Sequence, residues 1–416
     1  MIESPGIVKV AIFEPYPFDQ IGGNLRTQLQ ILEHVDRTRY HVTVIVPFES
    51  AFTGQARQLG ADVALVDPGP RLRRYGGQVL KDGIVGRIRT AAAVFRYSMT
   101  LKRELARRSI ALLQCNGIRG LLMAGLSARA AGIPLIWYVE GELQNGILDR
   151  AGYFLAQRIL FMAAANINDR YARLSTLFRR KTGVFATGID VEQIAAIDRL
   201  DRSSVRRELN VSADDVNIVV LGQLYRPKGV HLAIEALARV VERVPRTKLY
   251  IVGDHVLEEY SSYKGELDAL IAQRRLQDHV VFTGWRSDAL DIVSVMDILV
   301  HPSLSEGFGR AVLEAMALGK PVVASAVGGL RELIDDSANS FLVAAGDVDA
   351  LADRLTRLAA DGSLRATLGS RARATVAARY SVETAVRGLE GIWAEMVGSH
   401  SRSLGGEVAS AGGSWR

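Results

Sequence analysis

Short apolar runs separated by stretches of helical spacing recur along the whole chain. In the front half, residues 8–13 form a β-rich run and residues 24–35 carry apolar side chains at helical intervals. A second buried run follows at 42–46, and the rhythm returns at 111–114 and 135–139. The back half repeats it more plainly at 217–221, 249–252, 280–282, 298–300 and 321–324, each run set off by a helical pattern. Continuous apolar strands alternating with helices predict parallel sheets covered on both faces, so two such series give two doubly wound α/β domains. The break falls near Thr187-Gly188, where Gly188-Ile189-Asp190 precedes a polar stretch with Asp198, Asp201 and Ser203. The organisation predicted is an N-terminal domain over 1–187, a C-terminal domain over 188–379 and a last helix over 380–398. A disordered Ser/Gly-rich tail is predicted over 399–416.

At 416 residues the chain is too long for one compact core and suits two. One cysteine, Cys115, excludes an internal disulfide framework and any multi-cysteine metal site. The first residues carry no signal-peptide pattern, and no run of 18 apolar residues occurs, which predicts a cytoplasmic protein. Charge adds an asymmetry. Residues 1–200 hold 26 Lys+Arg against 17 Asp+Glu, a net of +9, and the remainder holds 25 against 28, a net of −3. Residues 71–108 alone carry eleven basic groups and two acids, mixed with Leu72, Tyr75, Ile84, Ile88 and Phe95. That composition points to an anionic partner. No nucleic-acid-binding motif accompanies it. The expectation is therefore a peripheral position on the inner face of an anionic membrane, or a phosphorylated acceptor; a plain solvated helix face has the same composition.

The chemistry concentrates in residues 297–319, Asp-Ile-Leu-Val-His-Pro-Ser-Leu-Ser-Glu-Gly-Phe-Gly-Arg-Ala-Val-Leu-Glu-Ala-Met-Ala-Leu-Gly. A strand ends near Val300, a loop with Gly307 and Gly309 follows, and a helix starts near Arg310 and stops before Gly319-Lys320-Pro321. Ligands of open α/β sheets sit at such strand ends, against helix N-termini whose free N–H groups attract anions. Glu306 lies in the loop. Glu314 lies one turn into an otherwise apolar helix, where a carboxylate needs hydrogen-bond donors such as the hydroxyls of a ribose. A solvated loop acid and a salt-bridged helix acid are the plain alternatives.

The two acids, with the flanking Glu-Gly-Phe-Gly and Glu-Ala-Met-Ala-x-Gly-x-Pro-Val-Val, resemble the Glu-x7-Glu motif of the retaining GT-B glycosyltransferases of family 4, the glycosyl transferases group 1. The stretch 219–229, Val-Val-Leu-Gly-Gln-Leu-Tyr-Arg-Pro-Lys-Gly, is similar to the family's loop for the donor diphosphate. Many relatives have Arg where this chain has Gln223, and Arg226 is the candidate replacement. Ile-Val-Gly-Asp at 251–254 and Val-Phe-Thr-Gly-Trp at 281–285 resemble the strand ends beside the nucleobase, and Gly22-Gly23 resembles the N-terminal glycine loop. After residues 135–139, where relatives often carry His, this chain has Glu140-Gly141-Glu142; Glu140 takes the role, or is a capping or solvated acid. None of the seven histidines falls in the family's expected place, and His301 is expected to pack at its strand end.

The resemblance implies two Rossmann-like domains facing a central cleft, with a nucleotide sugar bound mainly by the second. Glu306, Lys228, Arg226 and Glu140 are the implied catalytic groups. Gly22, Gly23, Gly222, Gln223, Gly253, Asp254, Trp285, Gly307, Phe308, Gly309, Arg310 and Glu314 are the implied donor-binding set. It further implies transfer with retention to a glycan, lipid-linked or small-molecule acceptor in polysaccharide or glycoconjugate synthesis. Cationic side chains and helix N-termini neutralise the leaving diphosphate, so neither a metal nor a cofactor is expected, and no nucleic-acid partner. Two other readings stay open at this point: a nucleotide-sugar epimerase of the same fold, and a non-catalytic nucleotide-sugar-binding protein.

Overall fold

The computed structural model describes residues 6–15, 22–73, 83–141, 147–167, 180–254 and 261–410. The chain forms two compact units, Met1–Ala186 with Glu383–Arg416, and Thr187–Val382.

The first unit is built on seven parallel strands: β1 (Val8–Phe13), β2 (Tyr40–Val46), β3 (Asp62–Leu65), β4 (Leu112–Asn116), β5 (Leu135–Val139), β6 (Arg158–Phe161) and β7 (Thr182–Val184). Their order across the sheet is β3-β2-β1-β4-β5-β6-β7. Connecting helices include α1 (Gly23–His34), α2 (Ala51–Gln58), α3 (Pro70–Arg73), α4 (Ile84–Arg107), α5 (Gly117–Ala131) and α6 (Ile147–Leu155). Ala11 and Phe13 of β1, Leu113 and Cys115 of β4 and Trp137 of β5 pack against Tyr97, Leu101 and Leu105 of α4 and Leu121 and Ala124 of α5. Burying large apolar side chains of this kind is worth about 1.5–3 kcal/mol each. The Trp137 indole N–H donates to the carbonyl of Gly117 at 3.0 Å, tying β5 to the start of α5.

The second unit repeats the design with six parallel strands: β8 (Val216–Leu221), β9 (Thr247–Val252), β10 (Val280–Gly284), β11 (Ile298–His301), β12 (Val322–Ser325) and β13 (Phe341–Val343), in the order β10-β9-β8-β11-β12-β13. Helix Val230–Arg243 lays Ala233, Ile234, Leu237 and Val240 onto Ile218, Leu249 and Ile251, as its apolar positions three and four apart require.

Four strands lie where no strand was expected: β3, β6, β7 and β13. They are three or four residues long, and β3 and β7 carry no continuous apolar run; β6 and β13 do lie in apolar runs, at 159–165 and 341–345, which the sequence reading passed over. The last helix runs Val382–Ser410, so residues 399–410 of the expected tail are helical, and 411–416 lie outside the described residues. That helix belongs to the first unit from Glu383 onward. Trp393, fully buried, stacks edge-on to Tyr40 at 5.3 Å and donates to Gln114 at 3.3 Å, and Glu390 accepts the Asp36 backbone N–H at 2.7 Å. In the basic segment, Leu72, Tyr97 and Leu101 are core residues, whereas Ile84, Val85, Ile88 and Phe95 are exposed on α4. Tyr75 and its neighbours over 74–82 lie outside the described residues.

Candidate functional site

The strand order of the second unit reverses between β8 and β11, which opens a crevice at their carboxyl ends. From β8 the chain passes Gly222 and Gln223 into a single 3₁₀ turn, Arg226–Lys228, and enters helix Val230–Arg243 through Gly229 at φ 68°. From β11 it passes through a loop into helix Arg310–Ala317. The two loops are laced together, the Leu304 N–H donating to the Pro227 carbonyl at 2.8 Å. One glycine permits this closeness, and a second, in the loop after β12, lets that loop approach Glu306. A Cβ on Gly229 would overlap the carbonyl of Pro302, and one on Gly328, at φ 47°, would overlap the carbonyl of Glu306.

Across that crevice the Lys228 ammonium donates to Glu306 Oε2 at 2.6 Å, with both side chains mostly buried. His301, the last residue of β11, donates from Nε2 to the same oxygen at 2.8 Å, and Ser303 Oγ lies 3.1 Å from that nitrogen. Burial opposes ionisation of Glu306, but the charge of Lys228 and the bond from His301 outweigh it and hold the carboxyl well below its ordinary range. Burial likewise opposes the charge on Lys228, and Glu306 outweighs it, so the ammonium is held above its ordinary value. The result is a fixed positive charge at a topological switch point, held by an acid that stays ionised.

At the start of the next helix, half-buried Arg310 donates to Oε1 of buried Glu314, one turn on, at 2.9 Å. Arg310 Nη1 also reaches Thr187 Oγ1 at 3.5 Å. Glu314 is salt-bridged, and the pair places a charged hydrogen-bonding group in the apolar helix. Gly222, Gly253 and Gly284 gather at adjacent strand tips: Gly222 N–H bonds Val252 and Gly253 N–H bonds Gly284. The Trp285 ring beside them is 46% exposed, and Asp254 accepts from the Leu224 N–H through its backbone. Gly307 and Gly309 lie in the Glu306 loop. Phe308 is buried edge-on against Tyr380 at 5.6 Å, so its ring serves packing.

Arg226 departs from expectation. Its guanidinium extends into solvent to pair with Glu266 on helix Ser261–Arg274 and does not join Lys228 and Glu306. Gln223 is exposed beside it. His301 is the residue the sequence reading missed; besides packing at its strand end, it holds Glu306. The signal was a histidine at the tip of a strand five residues before an acid in the following loop.

In the first unit, Gly22 caps α1 and Gly23 begins it, both in ordinary backbone conformations. Glu140 follows β5 and folds back over Gly117. It is neither a cap nor fully solvated: burial first, then the charge of Glu14, push its carboxyl well above the ordinary range. Among the described residues, no group of three or more His, Cys, Asp or Glu is placed to hold a metal ion.

Two doubly wound parallel units, with a charged switch point in the second, are the architecture of the GT-B fold. The same architecture occurs in the crystal structure of HepE from Anabaena in complex with UDP-glucose, with a TM-score of 0.75 at 24% identity over 93% of this chain and 99% of that one. Residues 201–375 match the family Glycosyl transferases group 1. It is 29% identical to the alpha-D-kanosaminyltransferase of Streptomyces kanamyceticus over 73% of this chain and 81% of the relative. It is 27% identical to the lipopolysaccharide core biosynthesis glycosyltransferase LpsE of Rhizobium meliloti, over 56% of this chain and 63% of the relative.

Proposed function

We propose that this chain is a glycosyltransferase that takes its sugar from a nucleotide diphosphate donor held at the β8–β11 switch point and transfers it with retention of anomeric configuration. The observation that carries the reading is the Lys228–Glu306–His301 network. A cation fixed beside the N-terminus of helix Arg310–Ala317 suits a diphosphate whose charge grows as the glycosidic bond breaks. In this reading Lys228 stabilises the leaving phosphate and Glu306 both orients Lys228 and meets the sugar hydroxyls. The Arg310–Glu314 pair faces the ribose, and the strand tips at Gly253, Asp254 and Trp285 border the base. The leaving phosphate accepts the acceptor's proton, so no protein nucleophile and no metal are needed. Arg226 contributes only if it leaves Glu266.

Residues 1–187 bind the acceptor, a sugar or lipid-linked sugar in polysaccharide or glycoconjugate synthesis, as the name of the lipopolysaccharide core relative supports. The uridine diphosphate series is the first donor to test, since HepE, similar in fold, holds UDP-glucose. We further assign α4 to an anionic membrane surface. Ile84, Ile88 and Phe95 share one exposed helix face, Val85 extends it, and Arg87, Arg89 and Arg96 flank it. No helix of the described residues is long and apolar enough to span a membrane, so this contact is interfacial.

A thermal-shift screen of UDP, GDP and ADP sugars tests the donor claim. A ligand at a hundredfold over its dissociation constant adds ~2.7 kcal/mol, a shift of several degrees for a domain of this size. No shift with any nucleotide sugar would remove the proposed donor site.

A further inference from the structure

The amino edge of the first unit's sheet, opposite the strand ends where doubly wound folds hold their ligands, carries a pocket of about 80 Å³. Ile7 ahead of β1, Leu32 and Val35 at the end of α1, Tyr40 and Val42 of β2 and Ala61 ahead of β3 line it. Leu32, Val35, Tyr40 and Val42 are at most 7% exposed, so packing fixes the floor, whereas Ile7 is 56% exposed and belongs to the rim. At ~30 Å³ per water the space equals roughly three waters, which suits a short aliphatic chain and is far too small for a nucleotide.

Arg37 brings a cation to this apolar lining. Its Nη2 donates to the Leu32 carbonyl at 3.1 Å and to the Leu59 carbonyl, so one nitrogen caps the ends of α1 and α2 together. Gly60, at φ 74°, makes room for the guanidinium, since a Cβ there would overlap Arg37 Nη1. Two carbonyls and a glycine thus set the plane of the group, and no carboxylate of the described residues pairs with it. The acids nearby are engaged elsewhere. Asp36 accepts from the Thr38 N–H at 2.9 Å, and Asp62 is held by His41 at 3.0 Å and Arg108 at 3.6 Å. A guanidinium fixed in one plane offers its remaining N–H groups as a fork that matches a carboxylate.

We propose that this pocket is a second ligand site of the first unit and takes a short branched aliphatic carboxylate, its charge on Arg37 and its apolar end against Leu32, Val35 and Val42. Apolar walls alone would accept any small hydrocarbon, and the fixed cation at their edge selects the acid. One wall of the pocket also seats the last helix: Tyr40 donates to the Glu390 carbonyl at 2.9 Å and meets Trp393 edge-on at 5.3 Å. A bound acid therefore braces that helix on the sheet. The site is independent of the donor reading, which it neither needs nor supports.

Saturation-transfer NMR on the full chain tests it with acetate, propionate, isobutyrate and isovalerate, each beside its amide. Affinity should rise about fourfold per carbon added from acetate to isobutyrate, and isobutyrate should bind at least tenfold tighter than isobutyramide. Arg37→Gln should erase the preference for acid over amide, and Ala61→Leu, which fills the pocket from its rim, should abolish binding of both. The affinity for UDP, read by calorimetry, should stay within twofold of wild type in either variant. No binding of isobutyrate or isovalerate, affinity that does not grow with the aliphatic chain, or an acid preference unchanged in folded Arg37→Gln would overturn the site and leave Arg37 a helix cap alone. Should Arg37→Gln not fold, the methyl resonances of Val35 and Val42 in ¹³C-methyl-labelled wild type must shift on adding isobutyrate; no shift overturns it equally. Failure of wild type to bind UDP would count against the donor reading instead.

Discussion

Replacing Lys228 with methionine keeps the length of the side chain and removes its charge, which leaves Glu306 buried with His301 as a remaining donor. With 19% and 12% of the two side chains exposed, the pair sits in the regime where removing one partner costs about 3–5 kcal/mol. For a unit of about 200 residues each kcal/mol lowers the melting temperature by roughly 2–4 °C, so the expected fall is roughly 6–20 °C. The double variant Lys228→Met with Glu306→Gln removes the stranded charge and should recover most of that loss. Turnover is a separate axis. A lost charge-stabilising group is typically worth ~3–4 kcal/mol, so kcat should drop by about 10²–10³ with a smaller change in KM, and the double variant should not recover it. Scanning calorimetry and steady-state kinetics on the same preparations separate the two effects. A melting temperature within 2 °C of wild type would refute the buried-pair reasoning (the threshold is about one-third of the smallest fall expected). An intact kcat with a raised KM would reduce Lys228 to a positioning residue.

Glu314→Ala should weaken nucleotide binding by about 1.5–3 kcal/mol, the worth of a hydrogen bond to a charged group, and calorimetry showing unchanged affinity in a folded variant would take Glu314 out of the site. The Lys228–Glu306 pair also sets a pH window. Glu306 is lowered on folding, so its stabilisation is complete above its unfolded value of about 4.5 and fades as pH falls below it; Lys228 is raised, so its share is complete below about 10.5 and fades as pH climbs beyond. Melting temperatures followed by calorimetry should therefore fall at both ends, and Glu306→Gln should flatten the acid side; an acid limb unchanged in that variant would contradict the assignment. Liposome sedimentation should find binding that needs anionic lipid, weakens with salt and drops when Arg87, Arg89 and Arg96 become Gln, each cation adding about 1 kcal/mol of attraction. Equal partition onto neutral vesicles would end the membrane reading of α4.

The doubly wound architecture was legible because its central strands are continuous apolar runs: β1 and β5 match the expected bounds, and β2, β8 and β9 extend them by one or two residues. The edge strands β3 and β7 were not legible, since a three-residue strand such as Thr182–Val184 carries no periodicity. The positions of Lys228, Glu306, Arg310 and Glu314 on their loops and helix followed from Gly and Pro punctuation. Their pairing did not, because which side chains meet across a switch point depends on how two loops lie together, and Arg226, two residues from Lys228, faces the other way.

The central claim, transfer with retention from a nucleotide diphosphate sugar, is tested most directly by proton NMR of the wild-type chain with α-linked UDP, GDP and ADP sugars. In the absence of acceptor, slow hydrolysis of the correct donor should release nucleotide, and the free sugar should appear first as the α anomer before mutarotation. Appearance of the β anomer first would contradict retention, and conversion of the donor to an epimer without release of nucleotide would contradict transfer itself.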